Sequence, residues 1–489
     1  MQTDRQIPMR LLVAVLLFPW LTACALNPAT GKRDFVLMSE TQEIGLGKQY
    51  HPQIIEQYGV YEDPALQAYV SRVGEALAGK SHRDDLIFRF TVLDSPMVNA
   101  FALPGGYIYI TRGIMAYLNS EAELAGVLGH EIGHVTARHG VRQHASATVA
   151  GIFSTILAVE TGSQTIGDLS QILGGALLSG YGRAHELEAD SLGAEYLARI
   201  GYDADNMIEV IEVLKNQEEF SKQRAKDQGE EAQTYHGVFA THPRNDERLQ
   251  EVIAAAEKYQ ADAPAGSNRL EYLKAIEGMI FGDSPEQGIV RNGSFYHSEL
   301  GIALAVPENW RIDNQPAQLI MTSPDKNAFM QLTVNDLDKR ETPEQYLTRI
   351  LSHPQSQQAR TLEINGLPAY TLVAEVNTNI GRRPGRFTVI FKDDRAYLFT
   401  GLARDNGDLS RVDEIFLATA TSFHTLTDKE RKLAKPYRIQ LYTVKPGDTY
   451  ASLAKKTPFP NYREERLRLM NDQYPDGEPE PGTIIKLVQ

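Results

Sequence analysis

The chain has 489 residues, of which 42% are hydrophobic and 23% are charged, a balance typical of folded proteins with substantial cores. Its length favours an organisation of roughly two to four domains. The 63 Asp and Glu residues outnumber the 49 Lys and Arg residues, and the resulting formal charge of -14 excludes the basic footprint that a nucleic-acid-binding protein needs.

The first residues are typical of an export signal. Arg5 and Arg10 supply positive charge, and residues 11–21 are almost wholly apolar, a run shorter than the about 20 residues that a membrane span needs. The segment ends in Leu-Thr-Ala-Cys at residues 21–24, which resembles the lipobox of bacterial lipoproteins. Cys24 is the only cysteine of the chain, so an intramolecular disulfide is excluded.

We therefore predict a lipoprotein signal peptide over residues 1–24 and lipidation of Cys24. Ordinary secretion is the alternative, because the small residues Ala23 and Ala25 around Cys24 also satisfy a signal-peptidase pattern. Lipoproteins with Asp after the Cys are retained at the inner membrane. Because Ala25 occupies that position here, we predict a periplasmic protein anchored to the outer membrane of a bacterial envelope.

Residues 25–260 are predicted to form a mainly helical domain with a small β-sheet. The periodicity of residues 39–58 and 64–79 indicates amphipathic helices, and residues 86–93 have the composition of a strand. Residues 99–110 read as two short strands around a Pro-Gly-Gly turn.

The strongest chemical signal is the sequence His-Glu-Ile-Gly-His at residues 130–134. In a helix, His130 and His134 lie one turn apart on the same face, so both imidazoles can bind one metal ion. Glu131 is placed to hold a water molecule and act as a general base. Ser120 and Glu123 predict a capping box at the start of this helix. A surface helix with two incidental histidines is the competing interpretation.

A second motif, downstream, supplies a third ligand. A catalytic zinc site takes three protein ligands and keeps one open position. Glu186 and Asp190 are four residues apart and share a helix face, whereas Glu188 points elsewhere on that helix. We predict one zinc ion per chain, with Glu186 as its third ligand and Asp190 as the acceptor that orients a ligating imidazole. A solvated acidic face is the alternative.

Together these motifs resemble the gluzincin metallopeptidases, the family that includes the CAAX prenyl proteases and the HtpX-like heat-shock proteases. The likeness covers about residues 34–257 and includes Thr-His-Pro at 241–243. It implies a zincin-type fold. It also implies that His242 stabilises an oxyanion or occupies the open zinc position as a removable ligand, and that Arg248 supports the Glu186 region or the oxyanion.

Within this family the chain also resembles the periplasmic β-barrel assembly-enhancing proteases and related lipoprotein peptidases. The helical repeats expected in the C-terminal half of those proteases are absent here. Residues 145–179 are apolar but interrupted, and no run reaches about 18 apolar residues, so we expect packed helices over the site, with a lid as the alternative, and no membrane span. A substrate peptide is expected to lie extended against residues 99–103.

Two further regions follow the predicted linker at 261–292. Residues 293–427 alternate in polarity and predict a small α+β domain without a catalytic constellation. Residues 436–489 resemble a LysM module of βααβ order, which implies binding of N-acetylglucosamine polymers such as peptidoglycan. The insert at 457–463 and the acidic, Pro-rich stretch at 475–481 depart from the usual spacing, so a packing module without a ligand is the alternative.

The leading hypothesis is a zinc-dependent endopeptidase that hydrolyses misfolded or misassembled envelope proteins in periplasmic quality control. A second is a cell-wall-binding or chaperone-like scaffold with a self-inhibited zinc site, and a third is a peptidoglycan hydrolase. Glu131 favours the first, because a closed structural metal site has no use for a general base.

Overall fold

A computed structural model describes most of the chain. The described residues are 24–29, 31, 33–35, 38–143, 181–228, 254, 257–259, 266–337, 340–352, 355–378, 381–404 and 409–489. They belong to two compact units, the first drawn from residues 1–55, 60–279 and 438–489 and the second from residues 56–59 and 280–437. The predicted signal peptide before Cys24, the expected helices at 145–179, His242 and Arg248 lie outside the described residues.

The first unit begins with a short hairpin and two helices, which are β1 (Cys24–Leu26), β2 (Arg33–Phe35), α1 (Glu40–Tyr58) and α2 (Pro64–Ala78). A three-stranded sheet follows, built from β3 (Arg89–Leu93), β4 (Ala100–Leu103) and β5 (Tyr107–Thr111). Strand β5 is central, parallel to β3 and antiparallel to β4. Among the described residues, β4 is therefore an edge strand of this sheet.

The helices of this part of the unit whose bounds the structure describes are α3 (Arg112–Met115), α4 (Glu121–Thr136), α5 (Arg183–Arg199), α6 (Asn206–Gln228) and α7 (Arg269–Ile276). Helix α4 is buried along its whole length. The Ser120 hydroxyl accepts the Glu123 N–H at 3.0 Å, as the predicted cap requires. The Glu123 carboxylate accepts the Asn119 N–H at 2.8 Å, one residue earlier than a capping box would place it.

Helices α4 and α5 approach closely because glycines line their contact. A Cβ atom on Gly193 would lie 3.1 Å from the backbone nitrogen of His130, and one on Gly133 would lie 2.9 Å from the carbonyl oxygen of Ala189. Such separations are shorter than ordinary van der Waals contacts, so a larger residue at either position would force the helices apart. This close packing brings the two predicted ligand motifs together.

The second unit is a mainly antiparallel β structure. Its short segments are β6 (Ile280–Phe281), β7 (Ile289–Arg291), β8 (Ser294–His297) and β9 (Ile302–Ala305). The strands of its large sheet are β10 (Arg311–Gln315), β11 (Gln318–Thr322), β12 (Ala328–Asp336), β13 (Ser356–Ile364), β14 (Leu367–Thr378), β15 (Gly381–Lys392) and β16 (Arg395–Ala403). Its helices and last short strand are α8 (Pro343–Ile350), α9 (Asp413–Thr421), β17 (His424–Thr425) and α10 (Asp428–Leu433).

The seven-stranded sheet of this unit has the order β10-β11-β12-β16-β15-β14-β13. One core cluster includes Phe399, Phe416 and Phe423 and covers one side of the sheet with α9, and a second, around Tyr346 and Leu347 of α8, includes Val389. Because successive side chains point to opposite faces of the sheet, neighbouring residues of a central strand enter different clusters, as Val389 and Ile390 do.

The last segment folds as β18 (Tyr437–Thr443), α11 (Tyr450–Ala454), α12 (Arg463–Met470) and β19 (Ile484–Val488). Strands β18 and β19 pair antiparallel. The Lys486 ammonium is fully buried and donates hydrogen bonds to the carbonyl oxygens of Ala116 at 3.0 Å and Leu118 at 2.6 Å. Phe220 of α6 packs its ring against Tyr462 at 5.8 Å. This module is therefore packed on the segment between α3 and α4 and on α6.

Within the parts of the chain that the structure describes, no helix combines the length and the apolar character that crossing a bilayer requires.

Candidate metal centre

Helices α4 and α5 bring the predicted ligands to one point. The Nε2 atoms of His130 and His134 lie 3.0 Å apart. The Glu186 carboxylate lies 3.7 Å from Nε2 of His130 and 3.5 Å from Nε2 of His134. All three side chains are buried, with Glu186 completely inaccessible to solvent. The structure thus groups two residues of one helix with a third that is more than 50 positions later.

The donor set fits a zinc ion. Nitrogen and carboxylate ligands lie about 2.0–2.2 Å from zinc, so the corners of a tetrahedral site are separated by about 3.4 Å. The three measured separations of 3.0, 3.5 and 3.7 Å bracket this value. A buried carboxylate facing two bare imidazole nitrogens is costly unless a cation joins them. The metal site is therefore supported by this chain's own geometry.

Asp190 contacts the Nδ1 side of the His130 ring. Its Oδ1 atom lies 2.8 Å from Nδ1 of His130. A proton on Nδ1 that is donated to Asp190 leaves Nε2 of His130 bare and directed at Glu186 and His134. This is the geometry that the spacing of Glu186 and Asp190 predicts, and the role of Asp190 in metal binding stays a prediction.

Glu131 lies beside the ligands and lines an apolar cavity. The polar residues of its lining are His130, Glu131 and Asp190, and the apolar ones are Ala100, Ile114, Val127, Met207, Val210, Ile211 and Leu214. Edge strand β4, α4 and α6 all contribute to this lining. A side chain in the cavity would lie next to the carboxylate that is predicted to move protons.

A second group of residues lies behind His134, and the sequence patterns did not identify it. Nδ1 of His134 lies 2.8 Å from Nδ1 of His139, and Nε2 of His139 lies 3.0 Å from Oε2 of Glu188. Arg142 donates to the same Glu188 oxygen at 3.0 Å. Glu188 does point away from Glu186, as the helix spacing predicts, but it points at this buried histidine.

The backbone explains how His139 reaches this position. Helix α4 ends at Thr136, and Arg138 adopts a left-handed conformation with φ of 56°. This turn folds the chain back so that His139 lies beneath His134. The Arg138 guanidinium donates to Glu43 at 3.0 Å and to the Met38 carbonyl at 2.9 Å, which fixes an unusual conformation for a residue other than glycine.

Aromatic rings pack around the same group. Tyr181 stacks on His134 with ring centroids 4.0 Å apart, and His185 stacks on His139 at 4.4 Å. Burial lowers the pKa of His185 to about 4, so this ring is neutral near pH 7. Burial opposes ionisation of Glu188, but hydrogen bonds and charges from His139 and Arg142 lower its pKa to about 2. Glu188 is therefore an anion fixed behind the candidate metal centre.

Comparison with known proteins identifies this part of the chain. Residues 64–256 match Peptidase family M48. The first unit contains an M48 peptidase domain. The matched range contains the His130–His134 motif and Glu186, so the family resemblance of the sequence is confirmed. Residues 442–488 match the LysM domain, which confirms the second resemblance.

Curated relatives of the M48 domain match only part of this chain. The Beta-barrel assembly-enhancing protease of Yersinia pestis is 29% identical over 273 residues, covering 54% of each chain. The protein of the same name in Escherichia coli strain K12 is 28% identical over 231 residues, 45% of each chain. The Mitochondrial metalloendopeptidase OMA1 of Arabidopsis thaliana is 33% identical over 145 residues, 29% of each chain. The chain thus spans about half the length of the bacterial relatives.

Proposed function

We propose that the protein is a zinc-dependent endopeptidase. The observation that supports this most directly is the buried cluster of His130, His134 and Glu186, with Glu131 next to it on the wall of an open cavity. A structural zinc site closes its coordination sphere with four protein ligands. Among the described residues three protein ligands converge here, and one of them, His130, lines a cavity together with the potential general base Glu131, which is the arrangement expected of a catalytic site.

Zinc, when bound by His130, His134 and Glu186, supplies Lewis acidity that polarises a peptide carbonyl and increases the acidity of water. Glu131 takes a proton from the attacking water and passes it to the leaving amine of the peptide bond. Asp190 orients His130 through the 2.8 Å contact. We further propose that His242 stabilises the oxyanion or occupies the open zinc position at rest, and that Arg248 supports this region.

Strand β4 provides the surface on which a substrate would lie. An extended peptide that pairs with the outer edge of β4 would gain backbone hydrogen bonds that do not depend on its side chains, which suits unfolded substrates. Ala100 belongs both to β4 and to the apolar cavity. A peptide paired with β4 would therefore place one apolar side chain in the cavity while its backbone passes the metal centre.

The proposed substrates are misfolded or misassembled proteins of a bacterial envelope. Support comes from the name of the bacterial relatives, which refers to β-barrel assembly, and from the predicted export signal. We propose a periplasmic location with a lipid on Cys24 in the outer membrane. The LysM domain adds peptidoglycan as a proposed partner.

A second candidate is a cell-wall-binding or chaperone-like scaffold whose zinc site is self-inhibited. The LysM domain match favours it, because this domain lies against the peptidase segment between α3 and α4 and against α6. On this hypothesis His242 would stay on the metal and peptide hydrolysis would be absent.

The two candidates are separated by one assay. Purified full-length chain loaded with one equivalent of zinc is incubated with reduced, carboxymethylated casein, and new N-termini are quantified by mass spectrometry. We expect cleavage by the wild type and a loss of at least about 1,000-fold in Glu131→Gln, since this variant keeps the zinc ligands but removes the base. Equal cleavage by both proteins contradicts the mechanism, and absence of cleavage by the zinc-loaded wild type favours the scaffold.

A further inference from the structure

The two metal-facing histidines are held differently. His130 contacts a carboxylate directly, since Oδ1 of Asp190 lies 2.8 Å from its Nδ1. His134 has a second imidazole in that place, because the atom 2.8 Å from its Nδ1 is Nδ1 of His139. The carboxylate comes one step later, where Oε2 of Glu188 lies 3.0 Å from Nε2 of His139.

From this geometry we propose that His139 and Glu188 are positioning residues that fix the tautomer and the ring orientation of His134 for metal binding. The proposal rests on the metal site of the proposed function, but not on the peptidase reaction. Neither residue touches the metal or a substrate, so both would act through His134.

The direction of each hydrogen bond follows from the position of the metal ligands. Nε2 of His134 faces Nε2 of His130 and the Glu186 carboxylate, so it must be bare to bind a cation. A neutral imidazole carries one proton, and that of His134 is therefore on Nδ1. Nδ1 of His139 must then accept it, which places the single proton of His139 on Nε2.

The series of hydrogen bonds behind His134 ends at an acceptor, the Glu188 carboxylate. Nε2–H of His139 donates to Glu188, whose Oε2 also accepts from Arg142 at 3.0 Å and whose Oε1 accepts from Asn27 at 3.2 Å. A carboxylate held by three donors cannot turn away or give a proton to His139. The reverse tautomer, with Nδ1 of His139 protonated against Nδ1–H of His134, would set two donors against each other.

Because both rings are buried, the orientation of His134 depends on its contact with His139. His139 is completely buried, and His134 is 1% exposed. Water is therefore not available to satisfy Nδ1 of His134 if His139 is lost. An imidazole without a partner on the side opposite the metal loses its fixed orientation and part of its basicity, which weakens metal binding.

The test measures zinc affinity, independent of catalysis. All variants are made in full-length Glu131→Gln protein to prevent self-cleavage, and zinc Kd is measured by competition with a chromogenic chelator. We expect His139→Phe, which keeps the ring volume, and Glu188→Leu to weaken zinc binding by about 10–100-fold. Glu188→Gln keeps an acceptor oxygen for Nε2–H and should restore most of the affinity lost in Glu188→Leu.

A matched control and a spectroscopic readout separate positioning from a general packing defect. His185→Phe preserves the stacked ring next to His139 and should bind zinc as the parent does. The visible spectrum of the cobalt-substituted protein should change in band position and intensity for His139→Phe and Glu188→Leu, but not for His185→Phe. Circular dichroism and melting temperature report folding for each variant.

Two results would overturn the proposal. One is a zinc Kd for folded His139→Phe within about twofold of the parent. The other, which applies even if His139→Phe does not fold, is equal zinc affinity and cobalt spectra for Glu188→Leu and the parent. If the wild-type protein binds zinc but has no peptidase activity, the proposed function is contradicted, whereas this inference is not.

Discussion

Replacement of Lys486 by Met should destabilise the first unit, because this lysine joins the LysM domain to the segment that precedes the metal-binding helix. Its ammonium donates to the carbonyl oxygens of Ala116 and Leu118 and is completely buried. Burial lowers the pKa of Lys486 and raises that of Glu123, whose opposite charge favours the charged form of the lysine.

The magnitude follows from what the substitution leaves behind. Met fills most of the volume of the aliphatic chain but removes the donor of two buried carbonyl oxygens, at about 1–3 kcal/mol each. Glu123 also loses a cationic neighbour whose charge lowers its pKa, which adds a smaller cost. Relief of the desolvation of the lysine offsets part of both terms. We expect a net loss of about 3 kcal/mol.

The assay is thermal unfolding of the full-length chain at pH 7, followed by circular dichroism and by fluorescence. For a unit of this size, a loss of about 3 kcal/mol corresponds to a fall of roughly 4–5 °C in the melting temperature of the transition that includes the first unit. Lys455→Met, an exposed lysine of the same domain, is the matched control and should change the melting temperature by less than 2 °C, since surface substitutions are usually worth about 0.5 kcal/mol or less.

A double variant tests the reasoning more sharply. Glu123→Gln removes the negative charge but keeps an oxygen for the Asn119 N–H, so the pair Lys486→Met and Glu123→Gln should be more stable than the sum of the two single effects predicts. Additive losses would show that the two charges do not interact. A Lys486→Met protein as stable as the wild type would refute the idea that this lysine holds the LysM domain in place.

Three further predictions concern the metal centre and its surroundings. Asp190→Ala should weaken zinc binding by about 10–100-fold in chelator competition, with far-UV circular dichroism unchanged, because His130 loses its acceptor. Leu214→Trp should fill the apolar cavity and shift cleavage in a peptide library toward sites with smaller side chains, and an unchanged profile would place the substrate elsewhere. Burial opposes ionisation of Glu121, but hydrogen bonds from Tyr202, Asn268 and Arg72 lower its pKa to about 2. The ionised carboxylate therefore stabilises the fold above about pH 4.5, and this stabilisation is lost as the pH falls toward 2. Over that range the wild type should lose more stability than Glu121→Gln.

The sequence predicts the parts of the site that depend on spacing within one helix. His130 and His134 share a face in any α-helix, as do Glu186 and Asp190, so their grouping follows from the positions alone. That the two pairs meet depends on tertiary packing. The glycines that permit it, Gly133 and Gly193, have no special signature in a helical pattern.

The residues behind His134 could not be derived in this way. His139 reaches its position through the left-handed backbone of Arg138, and tertiary contacts of the Arg138 guanidinium help to hold that conformation. A helix continued without this turn would carry His139 to a different face from His134. The available signal was a histidine five positions after the motif, together with an acidic residue between Glu186 and Asp190.

In the LysM domain, too, the sequence predicts the local structure but not the tertiary contacts. Its strands and helices follow from a local motif, and the structure has them in βααβ order. Lys486 on its last strand would ordinarily be assigned to a solvated face, because lysine is rarely buried without a partner. The carbonyl acceptors of Ala116 and Leu118 are about 370 positions away in the sequence, and no local pattern relates them to Lys486.

The contact between Asn27 and Glu188 limits how far the protein could work from a membrane. Asn27 is three residues beyond Cys24, and three extended residues span at most about 11 Å. If Cys24 carries the lipid, a linker of this length would hold the candidate metal centre close to the bilayer surface. Polypeptides emerging at or inserting into that surface would be within reach, whereas those free in the surrounding space would have to diffuse to it.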